Sequence, residues 1–126
     1  MTLLKLENYG PQFQIKVISA LLTHKEYVTN IHDIISEEYW DNQAQKWIIK
    51  EIIKYYDKWH TTPSMDVLKV ELQRLTNDVL KISIREQLKA AYEASDEDLK
   101  YVQEEFSTFC KNQQLKKALL GSVDLL

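Results

Sequence analysis

A chain of 126 residues, 44% of them apolar, has room for one ordinary hydrophobic core with at most a small packed appendage. Its sixteen basic and nineteen acidic residues are interspersed and leave a net charge of -3, which removes the electrostatic case for a general nucleic-acid binder. Only two glycines and two prolines occur, so long helices are favoured over strands joined by tight turns, and the predicted class is all-α.

Residues 1–8 contain Thr2-Leu3-Leu4-Lys5-Leu6, which suits a short strand or a loosely docked arm. Gly10-Pro11 then punctuates the chain, and Pro11 fits the first turn of a helix. Over residues 13–22, Phe13, Ile15, Val17, Ile18, Leu21 and Leu22 cover most of a helix circumference and leave Lys16 and Ser19 on a narrow polar side. That pattern predicts a mostly buried first helix. A short second helix is predicted over residues 25–31, with Tyr27, Val28 and Ile31 apolar and Ile34 and Ile35 packing the turn after it. Ser36-Glu37-Glu38 has the side chains of a helix start and leads into Tyr39-Trp40, before Asp41-Asn42 breaks the chain.

Residues 42–59 form the dominant stretch, capped by Asp41 or Asn42. Ile48, Ile49, Ile52, Ile53, Tyr55, Tyr56 and Trp59 fill one wide arc, while Lys46, Lys50, Lys54 and Lys58 follow one another along the opposite side. This third helix is the predicted centre of the core. The residue before Pro63 is pushed away from helical geometry, and Ser64 is a good N-cap for a fourth helix over residues 65–75 with Val67, Leu68, Leu72 and Leu75 apolar.

A fifth helix over residues 78–92 carries a stripe of Leu80, Ile84, Leu88, Ala91 and Tyr92. Ser95-Asp96-Glu97-Asp98 opens a sixth, running to about residue 120, with Leu99, Val102, Phe106, Phe109 and Cys110 in one stripe. Joined by Glu93-Ala94-Ser95, these two helices predict an antiparallel hairpin. The expected architecture is a compact helical bundle, residues 1–76, followed by the hairpin and tail, residues 77–126. One surface can bury one stripe per helix, and Val79, Ile82, Ala90, Tyr101, Leu115 and Leu119 fall outside those stripes. They are the candidate assembly interface with a second copy of the chain.

No glycine-rich phosphate loop, zinc-ligand spacing or serine elbow is present, and His24, His32 and His60 lie on separate segments. No catalytic, cofactor-binding or metal-ligating residue is assigned. Glu37, Glu38 and Asp41 read as capping and solvated acids, and Cys110 as a buried small hydrophobe. The lysine row, Lys46, Lys50, Lys54 and Lys58, is a candidate partner surface together with Tyr39 and Trp40. Against it stand a solvated face for the lysines and core or core-edge positions for Trp40, Trp47 and Trp59. A single cysteine, no signal-peptide pattern and no apolar run long enough to cross a bilayer point to the cytoplasm and away from membranes.

Several phrases carry a family resemblance. Phe13-Gln14-Ile15-Lys16-Val17-Ile18-Ser19-Ala20-Leu21-Leu22 resembles the first helix of the N-terminal domain of DnaB-type replicative DNA helicases. Ile34-Ile35-Ser36-Glu37-Glu38-Tyr39-Trp40 occupies the place of the acidic-aromatic phrase before that family's long helix, and Ile48 to Tyr56 matches the long helix. Thr62-Pro63-Ser64-Met65-Asp66-Val67-Leu68 matches the element after it, and Leu99-Lys100-Tyr101-Val102-Gln103-Glu104 fits the tail. Typical bacterial members carry a more acidic, aspartate-led phrase where Thr62-Pro63-Ser64-Met65 stands, so the likeness is to the branch found in T4-like bacteriophages.

The resemblance implies a noncatalytic domain in the collar of a hexameric helicase, assembling with itself as dimer, trimer or hexamer through paired hairpins. It also implies docking of primase or a helicase loader in the host cytoplasm. ATP, Mg and most DNA contact would belong to a motor domain absent here, so this chain itself takes no cofactor. The alternatives are a free-standing phage adaptor or loader-like protein, and a small helical nucleic-acid-binding protein using the lysine row.

Overall fold

Three of the helices begin at a polar side chain that caps the first turn. In the computed structural model, which describes residues 5–125 and their side chains through residue 120, the helices are α1 (Pro11–Thr23), α2 (Lys25–Ile31), α3 (Gln43–Trp59), α4 (Met65–Gln73), α5 (Asp78–Glu93) and α6 (Leu99–Leu125). Pro11 opens α1 at a position whose N–H has no partner within the helix. Asn42 accepts from the Gln45 N–H at 3.0 Å, Ser64 from Val67 at 3.3 Å, and Asn77 from Leu80 at 3.0 Å. These three side chains start α3, α4 and α5. Gly10 sits at φ 94 just before α1, a conformation glycine reaches without strain. At the far end of α3, His60 adopts φ 58, and its N–H donates to the Tyr56 carbonyl at 2.7 Å. The class is all-α: no strand occurs among the described residues.

Three local expectations change. Thr2, Leu3 and Leu4 lie outside the described residues, but residues 6–9 form a 3-10 turn, Leu6–Tyr9, anchored by Leu6 at 1% exposure. Ser36 does cap a turn, accepting from the Glu38 N–H at 3.2 Å, yet only the short 3-10 segment Glu37–Tyr39 follows. Trp40 leaves it in extended geometry and goes into the core. Further on, Ser95 accepts from the Glu97 N–H at 3.1 Å and holds a turn, while α6 starts only at Leu99.

The core is organised around α1 rather than α3. Val17, Ile18 and Leu21 are completely buried, and α1 packs against α2, α3, α5 and α6 as well as the Leu6–Tyr9 turn. On α3, Ile48, Ile49 and Ile52 are fully buried, and the helix packs on α5, to which Gln45 Nε2 donates a hydrogen bond at Gln87 Oε1, 3.1 Å. The end of α3 runs out of core: Tyr55 is half-buried and Trp59 is 58% exposed, so the expected apolar arc closes one turn early.

Residues on both sides of the expected division at residue 76 contribute to one buried cluster. Ile84, Leu88 and Ala91 of α5 and Val102, Phe106, Phe109 and Cys110 of α6 join the same buried cluster as α1 and α3. The expected antiparallel hairpin of α5 and α6 is not confirmed, as the two helices are not among the principal packed pairs. Because α1 is apolar around most of its circumference, it needs cover on more than one side. Helix α5 packs on α3 and α1, and α6 packs on α1. Helix α6 also reaches α2, where the Tyr27 hydroxyl donates to the Gln103 carbonyl at 2.9 Å, and the Trp40 ring, 5.4 Å from Phe106.

Candidate functional site

The uncovered apolar side chains lie on the last two helices. Val79 is 79% exposed and Ile82 54% on α5; Tyr101 is 62%, Leu115 59%, Leu119 59% and Leu120 56% exposed on α6. Ala90 differs from the rest of the candidate interface in being half-buried against the body. Leu115 and Leu119 stand one turn apart and make a single ridge with Leu120 beside it. Tyr101 shares that side of α6 but is separated from the ridge by Glu104, Thr108 and Lys111, all exposed. Every side chain from Leu115 to Leu120 is exposed, and Lys116, Lys117 and Leu120 line an open groove with Ser36, Glu38 and Tyr39.

The candidate partner surface fares differently. Trp40 is completely buried and contributes to the core, not to an outer face. Tyr39 is half-buried and structural: its hydroxyl donates to the Ile34 carbonyl at 2.9 Å and accepts from Gln114 Nε2 at 3.0 Å. Its ring meets Phe109 edge-on with centroids 5.5 Å apart, and burial raises its pKa above the ordinary phenol value. The tyrosine thus ties the segment before α3 to α6. Along the lysine row, Lys46 is half-buried with Nζ 3.5 Å from the Glu37 carbonyl, Lys54 pairs with Glu51 at 3.9 Å, and Lys58 lies 5.1 Å over the Trp59 ring. Only Lys50 of the four is both exposed and without a contact of this kind among the described residues. The row is therefore not one free cationic face.

Two grooves were not legible as spacing, because each forms between helices. One, of about 500 Å³, runs between α3 and α4 past Tyr55, Trp59, Pro63 and Val67. Its charges are largely paired within the protein: Glu51 with Lys54, and Glu71 with Arg74 at 3.8 Å. Burial raises the pKa of the Glu51 carboxyl, with the Lys54 charge acting in the other direction. The second groove, of about 370 Å³, lies between α4 and α5 and has Met65, Leu72, Leu88 and Tyr92 along its floor. Lys69, Arg85, Lys89 and Glu93 stand around it.

No group of three or more His, Cys, Asp or Glu side chains suited to a metal ion occurs among the described residues. His32 and His60, distant in sequence, both lie against the Tyr56 ring, with centroids 4.7 and 5.8 Å away. His24 sits apart, with Nδ1 2.8 Å from the Thr23 hydroxyl. The Cys110 thiol is buried, and burial pushes its pKa well above the usual range, so the nucleophilic thiolate is disfavoured. No helix among the described residues is long and apolar enough to cross a membrane. Comparisons with protein-family models, with curated proteins and with solved structures give no match to this chain.

Proposed function

We propose that this chain is a noncatalytic assembly and docking domain of a hexameric replicative DNA helicase, of the kind its sequence resembles in DnaB-type N-terminal domains. The observation that carries the reading is the bare ridge of Leu115, Leu119 and Leu120 on α6, together with Val79 and Ile82 on α5. Single exposed leucines are ordinary, but a run of them on a helix beyond its own core is the surface that a second copy would cover. Primase or a loader would dock on the assembled collar, while ATP, Mg and strand separation would belong to a motor domain. The reading as a nucleic-acid-binding protein has less support, because Lys46, Lys54 and Lys58 already have partners within the chain.

The test is the mass of the protein by light scattering over a concentration series. Self-association is expected, and Val79→Asp and Leu119→Asp are each expected to shift the population toward single chains without lowering the melting temperature of the fold. A strict monomer at every concentration, with no affinity for primase or loader, would overturn the proposal.

A further inference from the structure

The groove between α4 and α5 combines an apolar floor with a cationic rim. Its floor is apolar, built from Met65, Leu72, Leu88 and Tyr92. Leu72 and Leu88 are anchored in the core at 4% and 3% exposure, while Tyr92 keeps 38% of its surface open and Met65 is half-buried. Around that floor stand three exposed cations: Lys69 on α4, and Arg85 and Lys89 one turn apart on α5. None of the three makes an ion pair among the described residues, whereas Lys16, Lys54 and Arg74 each hold a carboxylate of the same chain. Glu93 is the single acid at the groove.

We propose that this groove docks an acidic amphipathic helix of a partner protein. Charge complementarity selects the occupant. Three unpaired cations beside low-dielectric walls concentrate positive potential over the trough, which draws carboxylates and opposes basic partners. Arg85 offers a planar fork that a glutamate or aspartate accepts in bidentate fashion, and the two lysines supply point charges on either side of the trough. The floor then takes apolar side chains spaced one turn apart along the guest. A helical guest also satisfies its own backbone groups, which matters because both walls are helices and offer no strand edge. Single-stranded nucleic acid fits the same cations less well, since Tyr92 is the only ring on the floor for a base to stack on. The groove is complete within one chain, so this inference does not depend on the assembly reading.

The probe is a fluorescein-labelled synthetic helix about five turns long, with leucines on one face and glutamates flanking them. A matched peptide with lysines in place of the glutamates and an oligothymidylate serve as competitors. With the full chain labelled for NMR, the acidic helix is expected to shift the amides of Lys69, Leu72, Arg85, Leu88, Lys89 and Tyr92. Arg85→Glu combined with Lys89→Glu, and separately Lys69→Glu, should each weaken anisotropy-measured binding by about tenfold or more, with helix content unchanged. Lys50→Glu should leave it as it is. Failure of the acidic helix to bind, equal binding by the lysine peptide, or indifference to both sets of reversals would overturn the proposal. So would oligothymidylate shifting the same amides, which would make the groove a nucleic-acid site. A light-scattering mass above one chain that falls on Arg85→Glu but not on Val79→Asp would assign the groove to a second copy instead.

Discussion

Glu51 shows how far a single side chain can depart from what its position suggests. In sequence it is one of many exposed-looking acids on a helix, four residues before Tyr55 and three before Lys54. In the fold its side chain is only 14% exposed, facing the groove between α3 and α4, and burial raises its pKa from the ordinary 4.5. Neither the neighbouring helix nor the groove can be read from spacing within α3. The unfolded chain ionises Glu51 in the ordinary range, whereas the folded chain holds the proton to higher pH. Its contribution thus favours folding most below about pH 4.5 and is lost as pH rises through the raised value. Glu51→Gln, which cannot ionise, should therefore improve in melting temperature relative to the unmodified protein between about pH 4 and pH 7. An offset that is the same at both pH values would remove this account of Glu51. Trp40 is the converse case: of its two readings, core ring or partner contact, the core one holds, since it is fully buried, and its indole N–H has no hydrogen-bond acceptor among the described residues. Its burial depends on Phe106, sixty-six positions later, which no local pattern carries.

At the scale of elements, the caps were the most legible feature. Ser64, and Asn42 as one of two candidates beside Asp41, were readable as short polar residues before an apolar period, while Asn77 closes the first turn of α5 in the same way without having been singled out. Ser36 and Ser95 have the same chemistry but close isolated turns, because tertiary packing and not the cap decides whether a helix propagates. The difference predicts unequal costs. Asn77→Ala should destabilise the protein by about 1 kcal/mol, since it leaves an N–H of α5 unpaired at the start of a helix whose Ile84 and Leu88 are core residues. Ser95→Ala should cost no more than about 0.5 kcal/mol, as expected for a surface position away from a packed helix start. Urea unfolding with an unchanged m value separates the two, and the reverse order would show that Ser95 holds α6 in place.

For the whole molecule, the expected division after residue 76 came from counting apolar stripes one helix at a time, whereas buried residues on both sides of it share one cluster. The sign that α1 lies at the centre was present: a helix with apolar residues around most of its circumference cannot be satisfied by a single neighbour. Which helices surround it is set by long-range packing, so the stripes on α5 and α6 were identifiable while their destination was not. That destination has an energetic consequence. Ile84, Leu88, Val102, Phe106 and Phe109 are buried in the shared cluster, and full burial of such side chains is worth about 1.5–3 kcal/mol each. Their sum, roughly 10 kcal/mol, is as large as the entire net stability of a typical domain, about 5–15 kcal/mol. Residues 1–76 alone would leave the matching faces of α1 and α3 in water, along with Trp40, whose ring rests on Phe106. The truncated chain is therefore expected to keep some helix but to lack dispersed amide resonances, fixed near-ultraviolet signals from its tryptophans and a cooperative melting transition. Residues 1–120, which end on the exposed part of α6, should retain all three. A cooperative, well-dispersed 1–76 species would mean that α5 and α6 decorate a core that stands without them, and would return those helices entirely to the role of an outer interface.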